Sequence, residues 1–110
     1  MNLIPITETF YVSGQIAPSD LADLKARGFT GVICNRPDGE DPGQPTAAEI
    51  QQAAEAAGIT FAHVPFDPMN PSPSMVDDFA DALTRSGEMT LAYCRSGNRS
   101  SRLWAAVSQR

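Results

Sequence analysis

The sequence predicts an α/β domain: a mostly parallel sheet of four to five strands with helices on both faces. Three observations carry that reading. Short β-branched or apolar runs alternate with helical patterns in the order βα, βα, βα, βα, and such alternation implies parallel strands joined by right-handed crossovers. Glycines and capping residues stand where each helical pattern stops or starts. The chain of 110 residues, 42% of them hydrophobic, suits one domain with one modest core.

The elements follow in order. Thr9–Ser13 is β-branched and aromatic and stops at Gly14, which predicts a short strand. Pro18-Ser19-Asp20 opens a helix with Leu21 and Leu24 at helical spacing, and Gly28 sits where a C-terminal cap belongs. Phe29–Asn35 holds a buried strand around Gly-Val-Ile-Cys. Arg36–Pro45, with three prolines and two glycines, is a loop. Thr46-Ala-Ala-Glu49 is a capping-box pattern, and the alanine-rich helix behind it ends at Gly58. Thr60–Phe66 is a third buried strand whose end Pro65 marks. Asp67–Ser74 is a second Pro-rich loop, with Ser72-Pro73 as N-cap and first helical residue. Val76, Phe79, Ala80 and Leu83 give the next helix its apolar face, ending near Gly87. Met89–Tyr93 is the fourth strand, and Ser100–Ser108 is a helix with Leu103, Trp104 and Val107 facing inward. In such a sheet ligands bind outside the carboxyl ends of the strands. Cys94, the Asn35–Gln44 loop and the Phe66–Ser74 loop all fall there.

Composition narrows the function. A net charge of -5 argues against nucleic acid as a partner. No run approaches the ~20 apolar residues of a membrane span, and the N-terminus lacks the pattern of a signal peptide. The two cysteines lack metal-ligand spacing, so neither zinc nor a disulfide scaffold is expected. A reducing cytoplasmic setting and no cofactor are expected, while the oligomeric state stays open. The charge is unevenly placed. Of eight basic residues, Arg95, Arg99, Arg102 and Arg110 lie beyond Glu88, the last acidic residue. A local positive field in an acidic chain suggests a small-anion site.

That field surrounds Leu91-Ala-Tyr-Cys-Arg-Ser-Gly-Asn-Arg-Ser-Ser101. A strand ending in cysteine and passing through Arg95, Ser96, Gly97 and Asn98 into a helix can turn successive N–H groups inward as an anion nest. The helix adds its positive end, and Gly97 permits a left-handed or close-approach backbone. The same field lowers the pKa of Cys94 and makes it a nucleophilic thiolate. Arg99 can grip two oxygens of an oxyanion with its fork. Ser100 is placed to donate to the thiolate or to a leaving sulfur.

Tyr93-Cys-Arg-Ser-Gly-Asn-Arg-Ser100 resembles the active loop of cysteine phosphatases and of rhodanese-type sulfurtransferases. With Val12-Ser-Gly-Gln15, Asn35-Arg-Pro-Asp-Gly-Glu40, Gln44-Pro45 and Val64-Pro65, the chain is similar to the DUF442 family, the phosphatase-like domain of β-lactamase-hydrolase-like proteins. The resemblance implies a dual-specificity-phosphatase-like fold over residues 1–110, as one domain that a longer fusion can also carry. It further implies hydrolysis of phosphate monoesters through Cys94. By the same resemblance, Asp67 lies where such phosphatases carry their general acid, with Asp38 as competitor; either can instead be a turn-forming aspartate.

One departure keeps the chemistry open. Four residues separate Cys94 from Arg99 where tyrosine-phosphatase loops have five, and Tyr93 stands in the usual histidine position. A shorter loop predicts one fewer inward amide and a tighter cradle, better sized for a persulfide sulfur on Cys94. The expected small anionic substrate is thus a phosphate ester, or else thiosulfate or a persulfide; a third reading is a non-catalytic anion-binding module. Around the site, Arg36 either extends the anion cradle or pairs with Asp38 or Glu40, and Gln15 sits at the same sheet edge. His63, within a strand, reads as structural. Cys34 ends the second strand much as Cys94 ends the fourth, so it is either a buried small hydrophobe or a resolving thiol for Cys94.

Overall fold

A computed structural model describes all residues, 1–110. The strands are β1 (Ile4–Pro5), β2 (Phe10–Ser13), β3 (Gly31–Cys34), β4 (Thr60–His63) and β5 (Thr90–Tyr93). The helices are α1 (Asp20–Ala26), α2 (Ala47–Ala57), α3 (Met75–Arg85) and α4 (Asn98–Ser108). They build one sheet in the order β1-β2-β5-β3-β4. β1 runs antiparallel to β2, with Ile4 opposite Val12, and every other pairing is parallel. The α/β reading therefore stands, with β1 as the fifth strand. Its two exposed residues, one a proline, carry no burial pattern from which to predict it.

Alternation along the strands sorts the core into two layers. Val32, Cys34, Leu91 and Tyr93 point toward Leu21 and Leu24 of α1 and Ile50 and Ala54 of α2. Phe10, Val12, Ile33 and Ala92 point the other way, toward Phe79 and Ala82 of α3 and Leu103 of α4. Phe10 stacks on Trp104 at 4.6 Å between ring centroids and meets Phe79 edge-on. β3 and β5 are buried at every position, as strands covered on both faces must be.

The capping box forms as the sequence predicts. The Glu49 amide donates to the Thr46 hydroxyl at 3.1 Å, the Thr46 amide donates to the Glu49 carboxylate at 3.3 Å, and Gly58 closes α2 at φ +74°. Two helix starts differ from expectation. α3 begins at Met75 with Ser74 before it, because Ser72 instead accepts from the Ser74 amide in a local turn. α4 begins at Asn98, two residues earlier than Ser100, because Gly97 takes the left-handed φ of +93° that turns the chain into the helix. The third strand also ends early, at His63. Val64 and Phe66 still donate to the carbonyls of Cys34 and Asn35 at 2.9 Å each, so the loop beyond them leaves from the edge of β3.

This order places the site. β2 and β3 are followed by helices of one layer, whereas β5, between them, is followed by α4 of the other. The chains leaving neighbouring strands diverge to opposite faces at the carboxyl end of β5, the position where ligands bind in sheets of this kind.

Candidate active site

Cys94 follows β5 directly, fully buried, its amide donating to the Ser13 carbonyl at 3.3 Å. The loop behind it curls back so that the Gly97 amide donates to Cys94 Sγ at 3.0 Å. Two glycines permit the curl. Gly97 lies against the Ser13 backbone at a φ of +93°, and a Cβ on Gly14 would come within 2.9 Å of the Arg95 carbonyl. Burial works against a thiolate here, but the backbone amides of Ser100, Ser96, Gly97 and Arg99 outweigh it and hold the Cys94 pKa below the ordinary thiol value. Amide dipoles do the tuning. α4 begins at Asn98, inside the four-residue interval between Cys94 and Arg99, so Arg99 and Ser100 lie in its first turn.

Ser100 therefore acts differently from the sequence expectation. Its backbone amide serves the sulfur, while its hydroxyl donates to Asn35 Oδ1 at 2.8 Å. The Asn35 amide group donates in turn to the Val64 carbonyl at 2.8 Å. Asn35, fully buried, thus ties β3, the end of β4 and α4 together. Sequence reasoning missed it; the only available signal was an asparagine directly after a buried strand.

Arg99 is mostly buried and its donors are largely committed. Nη1 donates to Glu40 Oε2 and to the Phe66 carbonyl, and Nη2 to Glu40 Oε1, each at 2.8 Å. A guanidinium carries five N–H groups. Three are used, which leaves Nε–H and one Nη2–H, two parallel donors on one edge. Glu40 first, and Cys94 as well, hold Arg99 in its charged form. The hydrogen bond from Arg99 in turn draws the Glu40 carboxyl down to about 2.

The other predicted residues separate into those that line the loop and those that brace it. Arg95 is exposed and pairs with Asp41 at 3.4 Å. The Ser96 hydroxyl accepts from the Asn98 amide at 3.4 Å, and Asn98 opens α4 with its side chain exposed. Arg36 is buried and pairs with Glu40 and Asp41, not Asp38. Gln15 accepts from Arg36 Nη1 at 3.0 Å and donates to the Ile16 carbonyl, so it braces Arg36 rather than reaching outward. His63 Nε2 lies 3.0 Å from the Arg36 carbonyl, which only accepts, so that nitrogen carries the proton.

The two aspartates each accept a backbone amide, in different settings. Asp38 Oδ1 accepts from the Ala47 amide at 2.8 Å, capping α2 from a distance. Asp67 is exposed, its Oδ1 accepting from the Met69 amide at 2.9 Å, and it follows the Phe66 carbonyl that Arg99 grips. Cys34 pairs in register with Tyr93, not Cys94, and both join the layer under α1 and α2. Its thiol donates to the Arg36 carbonyl at 3.4 Å, and burial pushes its pKa up. That describes a structural thiol in preference to a resolving one.

No group of three or more His, Cys, Asp and Glu side chains is arranged to hold a metal ion. No helix is long and apolar enough to cross a membrane.

Comparisons with known proteins agree with the fold. A family model described as beta-lactamase hydrolase-like protein, phosphatase-like domain, matches residues 2–110. The Beta-lactamase hydrolase-like protein of Agrobacterium fabrum is 31% identical over 104 residues, covering 94% of this chain and 24% of that protein. The chain thus spans about a quarter of the curated relatives it matches. The crystal structure of a candidate phosphatase from Neisseria meningitidis has a TM-score of 0.82 and 36% identity, covering 94% of this chain and 74% of that one. The core catalytic domain of the PP-IP phosphatase SIW14 from S. cerevisiae shares the fold, with a TM-score of 0.73, 17% identity, and coverage of 99% and 65%.

Proposed function

This chain belongs to the phosphatase-like domain family of the beta-lactamase hydrolase-like proteins, and from that premise we propose that it is a cysteine-dependent hydrolase of phosphate monoesters. The observation that carries the reading is the Gly97 amide donating to Cys94 Sγ at 3.0 Å where α4 begins, together with an Arg99 guanidinium that keeps two donors uncommitted. Amides and guanidinium offer a tetrahedral dianion the donors it needs where charge develops. In the first step the Cys94 thiolate attacks phosphorus. The S–P bond forms, the P–O ester bond breaks, and the leaving oxygen takes a proton from the carboxylic acid of Asp67. In the second step water attacks phosphorus, Asp67 takes its proton, and phosphate leaves with Cys94 again a thiolate.

A second reading is favoured by one specific feature, the four-residue spacing between Cys94 and Arg99. There Cys94 accepts the sulfane sulfur of thiosulfate, an S–S bond forming as sulfite leaves, and passes it to cyanide or a thiol. This reaction needs no acid at Asp67.

A paired assay separates the two. The protein is given an aryl phosphate, and separately thiosulfate with cyanide, with Asp67→Asn beside the wild type. The phosphatase reading expects turnover of the ester, reduced on the order of 10²-fold in Asp67→Asn. Thiocyanate formation unaffected by Asp67→Asn, with no ester hydrolysis, would replace it with sulfur transfer. Binding of phosphate without turnover of either substrate would leave an anion-binding module.

A further inference from the structure

Outside the cysteine loop, the most densely charged cluster in the molecule is the one behind it. Arg36 is 3% exposed and spends its donors on three partners: Nε on Glu40 Oε1 at 2.8 Å, Nη1 on Gln15 Oε1 at 3.0 Å, Nη2 on Asp41 Oδ2 at 2.6 Å. Glu40 Oε1 receives both Arg36 Nε and Arg99 Nη2, while Oε2 receives Arg99 Nη1. Asp41 likewise reaches Arg95. The Pro-rich loop therefore connects a buried arginine to both arginines of the anion loop through two adjacent carboxylates.

We propose that Glu40, anchored from behind by buried Arg36, is a positioning residue that locks the plane of the Arg99 guanidinium and turns its Nε–Nη2 edge toward the anion over Cys94. Glu40 occupies the Nη1–Nη2 edge and the Phe66 carbonyl takes the remaining Nη1 hydrogen. The anion edge is thus left free, so Glu40 does not compete for it. An arginine side chain carries several rotatable bonds, and fixing them costs rotamer entropy. Two fixed acceptors on one edge remove that freedom before the anion arrives, which is preorganisation. Arg36 makes the device rigid: its burial fixes Glu40, and its charge lets Glu40 and Asp41 crowd together beside Arg95 and Arg99. The proposal rests on reading Cys94 and Arg99 as the anion site.

The test reads the ionisation of Cys94, by pH-dependent alkylation followed at that residue by mass spectrometry, together with calorimetric binding of inorganic phosphate. The variants are Glu40→Gln and Glu40→Asp. Direct electrostatics and positioning predict opposite signs. Removing a nearby negative charge by itself favours the thiolate and lowers the Cys94 midpoint. Freeing Arg99 from its fixed orientation weakens its hold on the sulfur and raises the midpoint. We expect a raised midpoint in both variants and roughly tenfold weaker phosphate binding, the loss of one oriented charge-assisted bond. Glu40→Asp keeps the charge but is one methylene too short, so it isolates the geometric role and stands in if Glu40→Gln does not fold. A depressed wild-type midpoint that stays or falls in the variants would overturn this proposal alone. An ordinary thiol midpoint in the wild type would overturn the thiolate reading and this proposal together.

Discussion

Replacing Cys94 with serine is expected to lower turnover of an aryl phosphate on the order of 10³-fold or more, with inorganic phosphate still bound. Loss of a nucleophile is among the largest single effects in enzymes of this kind. Cysteine suits the position because the loop amides lower its pKa from the ordinary thiol value and so favour the thiolate. A serine hydroxyl starts far higher, and the same amides cannot ionise it. The anion donors, by contrast, survive the change. Gly97, Arg99 and Ser100 keep their backbone paths, since only the sulfur is exchanged for a smaller oxygen. Binding of phosphate is expected to hold or tighten, because a negative charge at the floor of the cradle has gone. Steady-state kinetics and calorimetry on the same preparation check both halves. Unchanged turnover in Cys94→Ser would remove Cys94 from the chemistry.

Gly31→Ala is expected to destabilise the fold by about 3 kcal/mol, the upper range for overpacking. Gly31 opens β3 where the strand passes the end of α3. A Cβ there would stand 2.4 Å from Ser86 Cβ, 2.6 Å from its carbonyl oxygen and 2.7 Å from its Cα. None of these is the far end of a flexible side chain. Ser86 cannot retreat easily, for its hydroxyl donates to the Ala82 carbonyl and its own carbonyl accepts from Thr30 at 2.7 Å each. Nor can β3 shift outward, being paired on both sides. Denaturant unfolding measures the loss. A change under about 0.5 kcal/mol, the size of an ordinary surface substitution, would show that α3 and β3 are less tightly joined than their contacts suggest.

What could be read from the sequence was whatever depends on near neighbours. Thr46 with Glu49 and Gly58 each announce a cap by chemistry within four residues and form where expected, and Gly97 takes the left-handed turn expected of it although α4 starts two residues earlier than predicted. The alternation of strands and helices announces a parallel sheet for the same reason. What was not legible depends on distant partners. β5 lies between β2 and β3, an order that chain sequence alone does not announce. The contact between Asp38 and the Ala47 amide that opens α2 lies nine positions along the chain. The Ser100 hydroxyl looked available to sulfur until Asn35, 65 positions away, claimed it. Cys34 looked like a partner for Cys94 because both end strands. Register instead pairs it with Tyr93, and both lie in the layer under α1 and α2. The pairing of Arg36 with Glu40 was within reach of sequence because it is local, whereas the grip of Glu40 on Arg99 across 59 positions was not.

The most direct test is to catch what Cys94 carries during turnover. Rapid mixing with an aryl phosphate, quenching and intact-mass analysis of Asp67→Asn and wild type should find a phosphoryl group on Cys94, absent from Cys94→Ser. Finding no phosphoryl adduct, but a single added sulfur on Cys94 after thiosulfate, would contradict phosphoryl transfer and assign the cradle to sulfur.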